Sequence, residues 1–167
     1  TGINMLIAYH PEVGIHHGPQ IENISFSNIS MDVVCPFFLN TAEKSARPGA
    51  LRNISFSNIT GSAKRASFFS GSKTIPLENL RFTNIDLIIN GEMDDGMSGE
   101  TPYPFNIWDY YLKKGLPDAF SFRYVKDLFI DGFRIRWGDI KGSWRNAIRL
   151  QDVEGAFMTG MSLSGAN

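Results

Sequence analysis

Few cysteines, little net charge and no long apolar run narrow the classes of protein to which this chain can belong. The single cysteine, Cys35, excludes an internal disulfide and a cysteine-rich zinc cluster. A formal net charge of −1 and a pI of about 6.3 give no basic surface for nucleic-acid phosphates. The longest apolar stretch, 33–39, contains a proline and is far shorter than the roughly 20 residues that cross a bilayer. We expect no nucleic-acid partner, no membrane partner, no metal and no cofactor.

The length of 167 residues, of which 43% are hydrophobic, allows one sizeable core and is short for two domains. We therefore expect a single domain over residues 1–167. The chain opens directly on a strand-like apolar run, 3–7, with neither an initiator methionine nor a signal-peptide pattern. We expect its N-terminal end to be cut from something longer.

A nine-residue pattern recurs along the chain and organises it. The first two copies, 21–29 and 51–59, differ at only two positions, and a third copy is 77–85. Weaker copies are 125–133 and 153–161, so the copies start at intervals of 30, 26, 48 and 28 residues. The long interval indicates either an insertion or a skipped coil.

Each copy has the alternation of a short β-strand. Apolar residues occupy the first, fourth, sixth and ninth places, and phenylalanine fills the sixth place in the first three copies, as Phe26, Phe56 and Phe82. In the same three copies asparagine fills the third and eighth places, where it tolerates a left-handed bend and its amide can bond to the same residue of the next copy. The pattern predicts a phenylalanine column and asparagine ladders, including one of Asn28, Asn58 and Asn84; ordinary turn asparagines are the alternative.

Short apolar runs between the copies predict further strands. They are 35–39, 66–70, 119–123 and 147–150. A leucine-rich repeat is the competing architecture, but the second asparagine comes one residue too early and the connecting segments lack a helical pattern. The sequence predicts an all-β fold, a parallel β-helix of about five to six coils with exposed strand edges at its ends.

The segment at about 90–118 breaks the repeat and is expected to be a long loop insertion. Its aromatic residues, among them Trp108 and Tyr110, either stack on sugar rings or pack the loop onto the fold, and we favour packing. Asp94 and Asp95 suggest a glycosidase pair, but neighbouring residues on a strand point oppositely and the glycine-rich setting favours a solvated turn.

Two further groups of residues have candidate binding roles. His10, His16 and His17 lie in one segment with Glu12, but the spacing lacks metal-site geometry, so solvent-facing histidines are favoured. The last third is rich in arginine, which is expected to project from one face and either bind uronate carboxylates or pair with nearby aspartates. The arginines are 123, 134, 136, 145 and 149, with Asp118 beside them, and the aspartates are 127, 131, 139 and 152.

Residues 21–37, and a second stretch made of 103–104 with 116–128 and then 144–155, resemble the later coils of family 28 glycoside hydrolases, the polygalacturonase group, especially relatives in gut and soil Bacteroidetes. The resemblance implies a pectin-lyase-like, right-handed, single-stranded parallel β-helix. It also implies that the catalytic Asn-Thr-Asp, Asp-Asp and Gly-His-Gly elements precede these coils. In the strand of the family's Arg-Ile-Lys element, Asn4 and Leu6 stand in place of the arginine and lysine.

The resemblance thus implies the C-terminal part of an extracellular or periplasmic glycoside hydrolase that hydrolyses pectic or related polysaccharides by inversion. We expect no catalytic residue in the chain, and its implied partners are a polysaccharide or oligosaccharide and the N-terminal coils of the parent protein. A noncatalytic β-helix module that binds carbohydrate or serves as a scaffold is the alternative. Candidate substrate-binding residues are Asn4, Tyr9, His10, Trp108, Tyr110 and Arg123.

Overall fold

A computed structural model describes residues 2–7, 20–41, 48–93, 118–142 and 144–164. In these ranges all regular structure is β-strand, which agrees with the predicted all-β class and removes the leucine-rich alternative. Consequently no helix long and apolar enough to span a membrane occurs in this part of the chain. The strands are β1 (Ile3–Ile7), β2 (Ile21–Val33), β3 (Phe37–Thr41), β4 (Leu51–Ala63), β5 (Ser67–Ser70), β6 (Leu77–Met93), β7 (Asp118–Gly142), β8 (Asn146–Thr159) and β9 (Ser162–Leu163).

All strand pairs are parallel, and their order defines a β-solenoid of about four turns. The strands form five layers, which are β1 with β2, β3 with β4, β5 with β6, β7 alone, and β8 with β9. The expected number of coils was five to six. The described strands wind about four turns, fewer than expected. The handedness of the solenoid stays a prediction.

The strand pairings divide each layer among three faces. The first face consists of β1, β3, β5 and the beginnings of β7 and β8, and the predicted short apolar runs lie there. The second face contains the nine-residue copies. The third face is formed by the ends of β2, β4, β6 and β7 with β9.

The nine-residue copies align position for position across all five layers. Ile21 pairs with Leu51, Leu77 with Val125, and Val125 with Val153. Because β6 pairs directly with β7, the interval of 48 residues contains an insertion and no skipped coil. The structure narrows the expected insertion: 90–93 continue β6 and residue 118 begins β7, while 94–117 lie outside the described residues.

Asparagines turn the chain at the corners of the second face, as predicted. Asn28, Asn58 and Asn84 have φ angles of 57°, 53° and 54°, in the left-handed region that asparagine tolerates. The Asn58 amide donates to Asn28 Oδ1 at 3.2 Å, and the Asn84 amide donates to Asn58 Oδ1 at 2.9 Å. The ladder is confirmed, although its side chains lie on the exposed surface. A second ladder joins Asn23, Asn53 and Asn79.

Aromatic rings fill the core where the faces meet. The predicted column is present: Phe26 stacks on Phe56 with centroids 5.5 Å apart, and Phe56 stacks on Phe82 at 4.8 Å. Phe37 and Phe69 reach this column from the first face and meet it edge to face, Phe37 at 5.1 Å from Phe56 and Phe69 at 5.1 Å from Phe82. Interlocking of the two columns fixes the faces relative to each other.

The single cysteine is part of the packing between layers. Cys35 is fully buried, and its thiol donates to the carbonyl oxygens of Ala66 at 3.1 Å and Phe37 at 3.4 Å. Burial raises the pKa of the Cys35 thiol from about 9 to about 12. The side chain therefore stays a neutral hydrogen-bond donor at physiological pH.

Candidate functional site

Two of the predicted substrate-binding residues, Asn4 and Arg123, lie on the first face. Asn4 is exposed, whereas its neighbours Ile3 and Met5 are buried, so Asn4 points outward from β1. Arg123 has the same outward phase in β7, where the neighbouring Phe122 is buried in the core. The outer side of the first face is therefore the candidate site.

Outward residues of this face form two straight columns, because parallel strands in register place equivalent side chains one layer apart, about 4.8 Å. The first column starts at Asn4 and ends at Arg149. The second column contains Arg123 next to Gln151. In layer order the first column is Asn4, Phe38, Phe68, Ser121 and Arg149, and the second, from the second layer on, is Asn40, Ser70, Arg123 and Gln151.

The middle of the candidate site is buried and its two ends are open. Phe38 and Phe68 are only 1% and 2% exposed, and their rings pack at 5.5 Å. Asn4 at one end and Gln151 at the other are exposed, and Arg123 and Arg149 are partly exposed. Access for a large ligand is therefore from the two ends, and the arginines belong to the later one.

A buried carboxylate stands beside Arg149. Asp118 is 1% exposed; its Oδ1 accepts a hydrogen bond from the Asn146 amide at 2.7 Å, and its Oδ2 lies 3.8 Å from an Arg149 nitrogen. Asp118 is the one carboxylate among the described first-face strand residues. Inverting glycosidases need two carboxyl groups roughly 6.5 to 9.5 Å apart. Asp118 acts here as a counter-charge that positions Arg149.

Other arginines of the last third project from the third face. Arg134 and Arg136 occupy alternate positions of β7, and both approach Asp86, at 3.5 Å and 2.8 Å. Because Arg123 and Arg149 lie on the first face, the expectation that the arginines project from one face is wrong. The expected partners were aspartates 127, 131, 139 and 152, and this assignment needs correction. The strand register explains why the partner is Asp86. Asp86 in β6 pairs directly with Arg134 in β7, although the insertion separates the two residues in sequence.

The guanidinium of Arg123 lies 5.0 Å from the centroid of the Tyr124 ring, which fixes its direction at the edge of the face. Sequence reasoning missed the burial of Asp118 and its contact with Asn146. The available signal was the equal offset of Asp118 and Asn146 ahead of two aligned repeat copies, which places them in neighbouring layers.

Several predicted site residues lie outside the described residues. They are Tyr9, His10, Trp108 and Tyr110, together with the Asp94–Asp95 pair and His16, His17 and Glu12. Their suggested roles stay predictions. Within the described ranges, no group of three or more histidine, cysteine, aspartate or glutamate side chains is placed to hold a metal ion.

Comparisons of the chain with protein-family models, with curated proteins and with solved structures found no match. The β-solenoid fold is consistent with a β-helix protein, but no comparison supports the resemblance to family 28 glycoside hydrolases. The family assignment therefore stays a prediction.

Proposed function

We propose that this chain is the substrate-binding, noncatalytic portion of a polygalacturonase-like β-helix protein, and that it binds a uronate-rich polysaccharide at the later end of the outer side of its first face. One observation carries the proposal: Arg123 and Arg149 lie on neighbouring layers of that face, with Gln151 beside Arg123. Guanidinium groups bind carboxylates in a fixed, forked geometry, and amides bind sugar hydroxyls.

Charge on this face favours an acidic ligand. Arg123 and Arg149 are both partly exposed at the later end of this face, where their guanidinium groups can approach the carboxylates of a ligand. A polysaccharide that carries one carboxylate on each sugar supplies further negative charges along a line. Arg123 and Arg149 lie on neighbouring layers, about 4.8 Å apart, and offer two guanidinium groups for such charges at the later end of the face.

In this proposal the catalytic carboxylates belong to preceding coils of the parent protein, which stack on the first layer beside β1 and β2. The parent protein hydrolyses pectic or related polysaccharide outside the cytoplasm, in the extracellular space or the periplasm.

Binding of the purified chain to polygalacturonate, measured by calorimetry and affinity electrophoresis, tests the proposal. Arg123→Gln is expected to weaken binding at least about fivefold, in the range of one lost charged hydrogen bond. Arg136→Gln, which removes an arginine of the third face, is the matched control and is expected to leave binding unchanged. Equal binding by both variants, or no preference for polygalacturonate over neutral dextran, contradicts the proposed site.

Hydrolysis is tested separately by reducing-sugar release from a panel of pectic substrates. We expect no turnover, because an inverting reaction needs an acid and a base on opposite sides of the bond and the first face supplies Asp118 alone among its described strands. Turnover that disappears on Asp94→Asn or Asp95→Asn contradicts this expectation and moves the active site to the insertion.

A further inference from the structure

Left-handed backbone positions in the described part of the chain are occupied, with one exception, by the residue types that tolerate them. Of the nine described residues other than glycine with a positive φ, eight are asparagine or aspartate. The ninth is Tyr124, with a φ of 49°. A bulky aromatic residue at such an angle strains the backbone, so the presence of tyrosine at this position needs a physical reason.

Tyr124 forms the corner between the first and second faces. Arg123 is the last residue of β7 that pairs on the first face and Val125 is the first that pairs on the second, so one residue makes the turn. The equivalent residue of the next layer is Asp152, with a φ of 52°. Aspartate therefore makes the same turn without an aromatic side chain, and the turn itself does not account for the tyrosine.

The preceding layer holds the backbone of this corner in place. The Gly71 N–H donates to the carbonyl oxygen of Arg123 at 3.0 Å. A Cβ atom at Gly71 would lie 2.6 Å from the Tyr124 carbonyl oxygen, so only glycine permits this close approach. Neighbouring backbone therefore maintains the left-handed conformation of Tyr124 despite its strain.

The left-handed corner places the tyrosine ring beside an arginine of the candidate site. Successive side chains of an extended strand point to opposite sides, so a residue after Arg123 is expected to point into the core. Instead Phe122 and Val125 are buried, at 0% and 1% exposure, and the two residues between them are both partly exposed. The Arg123 guanidinium consequently lies 5.0 Å from the centroid of the Tyr124 ring.

We propose that Tyr124 is a positioning residue of the uronate-binding site, and that its ring orients the Arg123 guanidinium for a ligand carboxylate. The inference rests on the proposed function, because Tyr124 acts through Arg123. An arginine side chain loses rotamer freedom when it binds a carboxylate, and contact with the ring restricts that freedom before the ligand arrives.

The ring and the ligand use different parts of the guanidinium group. A carboxylate binds the N–H groups in the plane of the guanidinium, whereas an aromatic ring contacts its flat face. Tyr124 therefore leaves the binding groups of Arg123 to the ligand. Strain at the corner is the cost of placing the ring where only a left-handed residue can place it.

Binding of the full chain to polygalacturonate, measured by calorimetry, tests this role. Tyr124→Asn removes the ring from the left-handed corner and is expected to weaken binding about two- to fivefold, the range of an exposed cation–π contact. Tyr124→Phe keeps the ring and is expected to bind as the wild type does. Unchanged binding in Tyr124→Asn, while Arg123→Gln weakens binding, overturns this inference alone.

The matched control is Phe129→Ser, which removes a ring that lies 5.3 Å from the Arg81 guanidinium on the second face. Serine occupies the same row in the first two layers, so the substitution suits this position. We expect its binding to equal that of the wild type. Weakening in Phe129→Ser as large as in Tyr124→Asn overturns the specific role of Tyr124.

A double variant shows whether Tyr124 acts through Arg123. Adding Tyr124→Asn to Arg123→Gln is expected to weaken binding no further, because the group that the ring orients is already absent. Further weakening means that the ring contacts the sugar itself and overturns the positioning role. Binding that is unchanged by Arg123→Gln overturns the proposed function and this inference with it.

Two measurements without ligand complete the test. The ring current of Tyr124 is expected to shift the NMR signals of the Arg123 side chain in the wild type and Tyr124→Phe, and this shift is expected to disappear in Tyr124→Asn. Thermal unfolding of Tyr124→Asn is expected at or above the wild-type midpoint, because asparagine relieves the corner strain. Absence of the shift in the wild type, or a midpoint several degrees lower in Tyr124→Asn, overturns the proposal.

Discussion

The ring of Phe56 stacks on the ring of Phe82 in the next layer, with centroids 4.8 Å apart and 15° between the ring planes. Phe26 stacks on the opposite side of Phe56, and Phe37 meets it edge to face. Phe56 therefore joins three layers and two faces of the solenoid. Its contacts make this residue a test of the repeat register.

Truncation of Phe56 to alanine is expected to lower the free energy of unfolding by about 3 to 5 kcal/mol, because it removes a fully buried ring and leaves a cavity in a packed core. Urea denaturation followed by circular dichroism measures the change. Val34→Ala is the control at an exposed apolar residue, with an expected loss below about 1 kcal/mol. A similarly small loss for Phe56→Ala means that the ring column is misplaced.

Asn58 combines a left-handed backbone with two ladder hydrogen bonds, and two substitutions separate these contributions. Asn58→Gly keeps the φ of 53° without strain but removes the amide bonds to Asn28 and Asn84. Asn58→Ala removes the bonds and also strains the backbone by about 1 to 2 kcal/mol. We expect the alanine variant to be less stable than the glycine variant by that amount. Equal stabilities of the two variants contradict the corner geometry.

The difference in stability between the wild type and Asn58→Gly measures the contribution of the ladder hydrogen bonds. Each net hydrogen bond contributes about 0.5 to 1.5 kcal/mol, and the exposed position places these bonds at the lower end of that range. Thermal unfolding of the two proteins measures the difference. A glycine variant as stable as the wild type shows that the exposed amides bond equally well to water.

The raised pKa of the Cys35 thiol predicts that the folded protein loses stability at alkaline pH. Its folded pKa of about 12 exceeds the ordinary value of about 9, so the unfolded chain loses the thiol proton first as pH rises. The stabilising contribution is complete below about pH 9 and is lost between about pH 9 and pH 12. Relative to Cys35→Ala, the wild type is expected to lose about 1.4 kcal/mol of unfolding free energy between about pH 8 and pH 10.

Denaturation of the wild type and Cys35→Ala at both pH values measures this difference, and the alanine variant cancels the titration of every other group. Burial also predicts that a thiol reagent labels native Cys35 only on unfolding. A pH-independent difference between the two proteins, or rapid labelling of the native chain, contradicts the buried neutral thiol.

Arg52 on the second face pairs with Glu22 in the layer before it and with Glu78 in the layer after it. Reversal by Arg52→Glu places three carboxylates on consecutive layers, whereas Arg52→Gln only removes the cation. Both side chains of the Arg52–Glu22 pair are partly exposed, so its loss in Arg52→Gln is expected to cost about 0.2 to 1 kcal/mol. The glutamate variant is expected to be less stable than the glutamine variant.

Salt dependence identifies the cause of that difference. Added sodium chloride screens exposed charges, so the gap between Arg52→Glu and Arg52→Gln is expected to narrow as ionic strength rises. Chemical denaturation at low and high salt measures the gap. A gap that does not change with salt assigns the effect to packing of the side chain and contradicts the electrostatic explanation.

Local sequence determined the repeating part of this protein. Alternation within the nine-residue copies places Phe26, Phe56 and Phe82 inside, and the left-handed tolerance of asparagine places Asn28, Asn58 and Asn84 at corners; both follow from the conformations available to single residues. Stacking equal copies in register then produces the columns and ladders without further information, so these features were predictable.

Tertiary structure alone decided which charged groups meet. Asp86 reaches Arg134 and Arg136 because β6 pairs directly with β7 across the insertion. Asp118 is buried against Asn146 because two strand beginnings coincide in neighbouring layers. Such contacts depend on the register between neighbouring strands, which are joined by connections of variable length. The residue types in the strands carry little information about that register. Charge pairs therefore emerge only once the register of the strands is fixed.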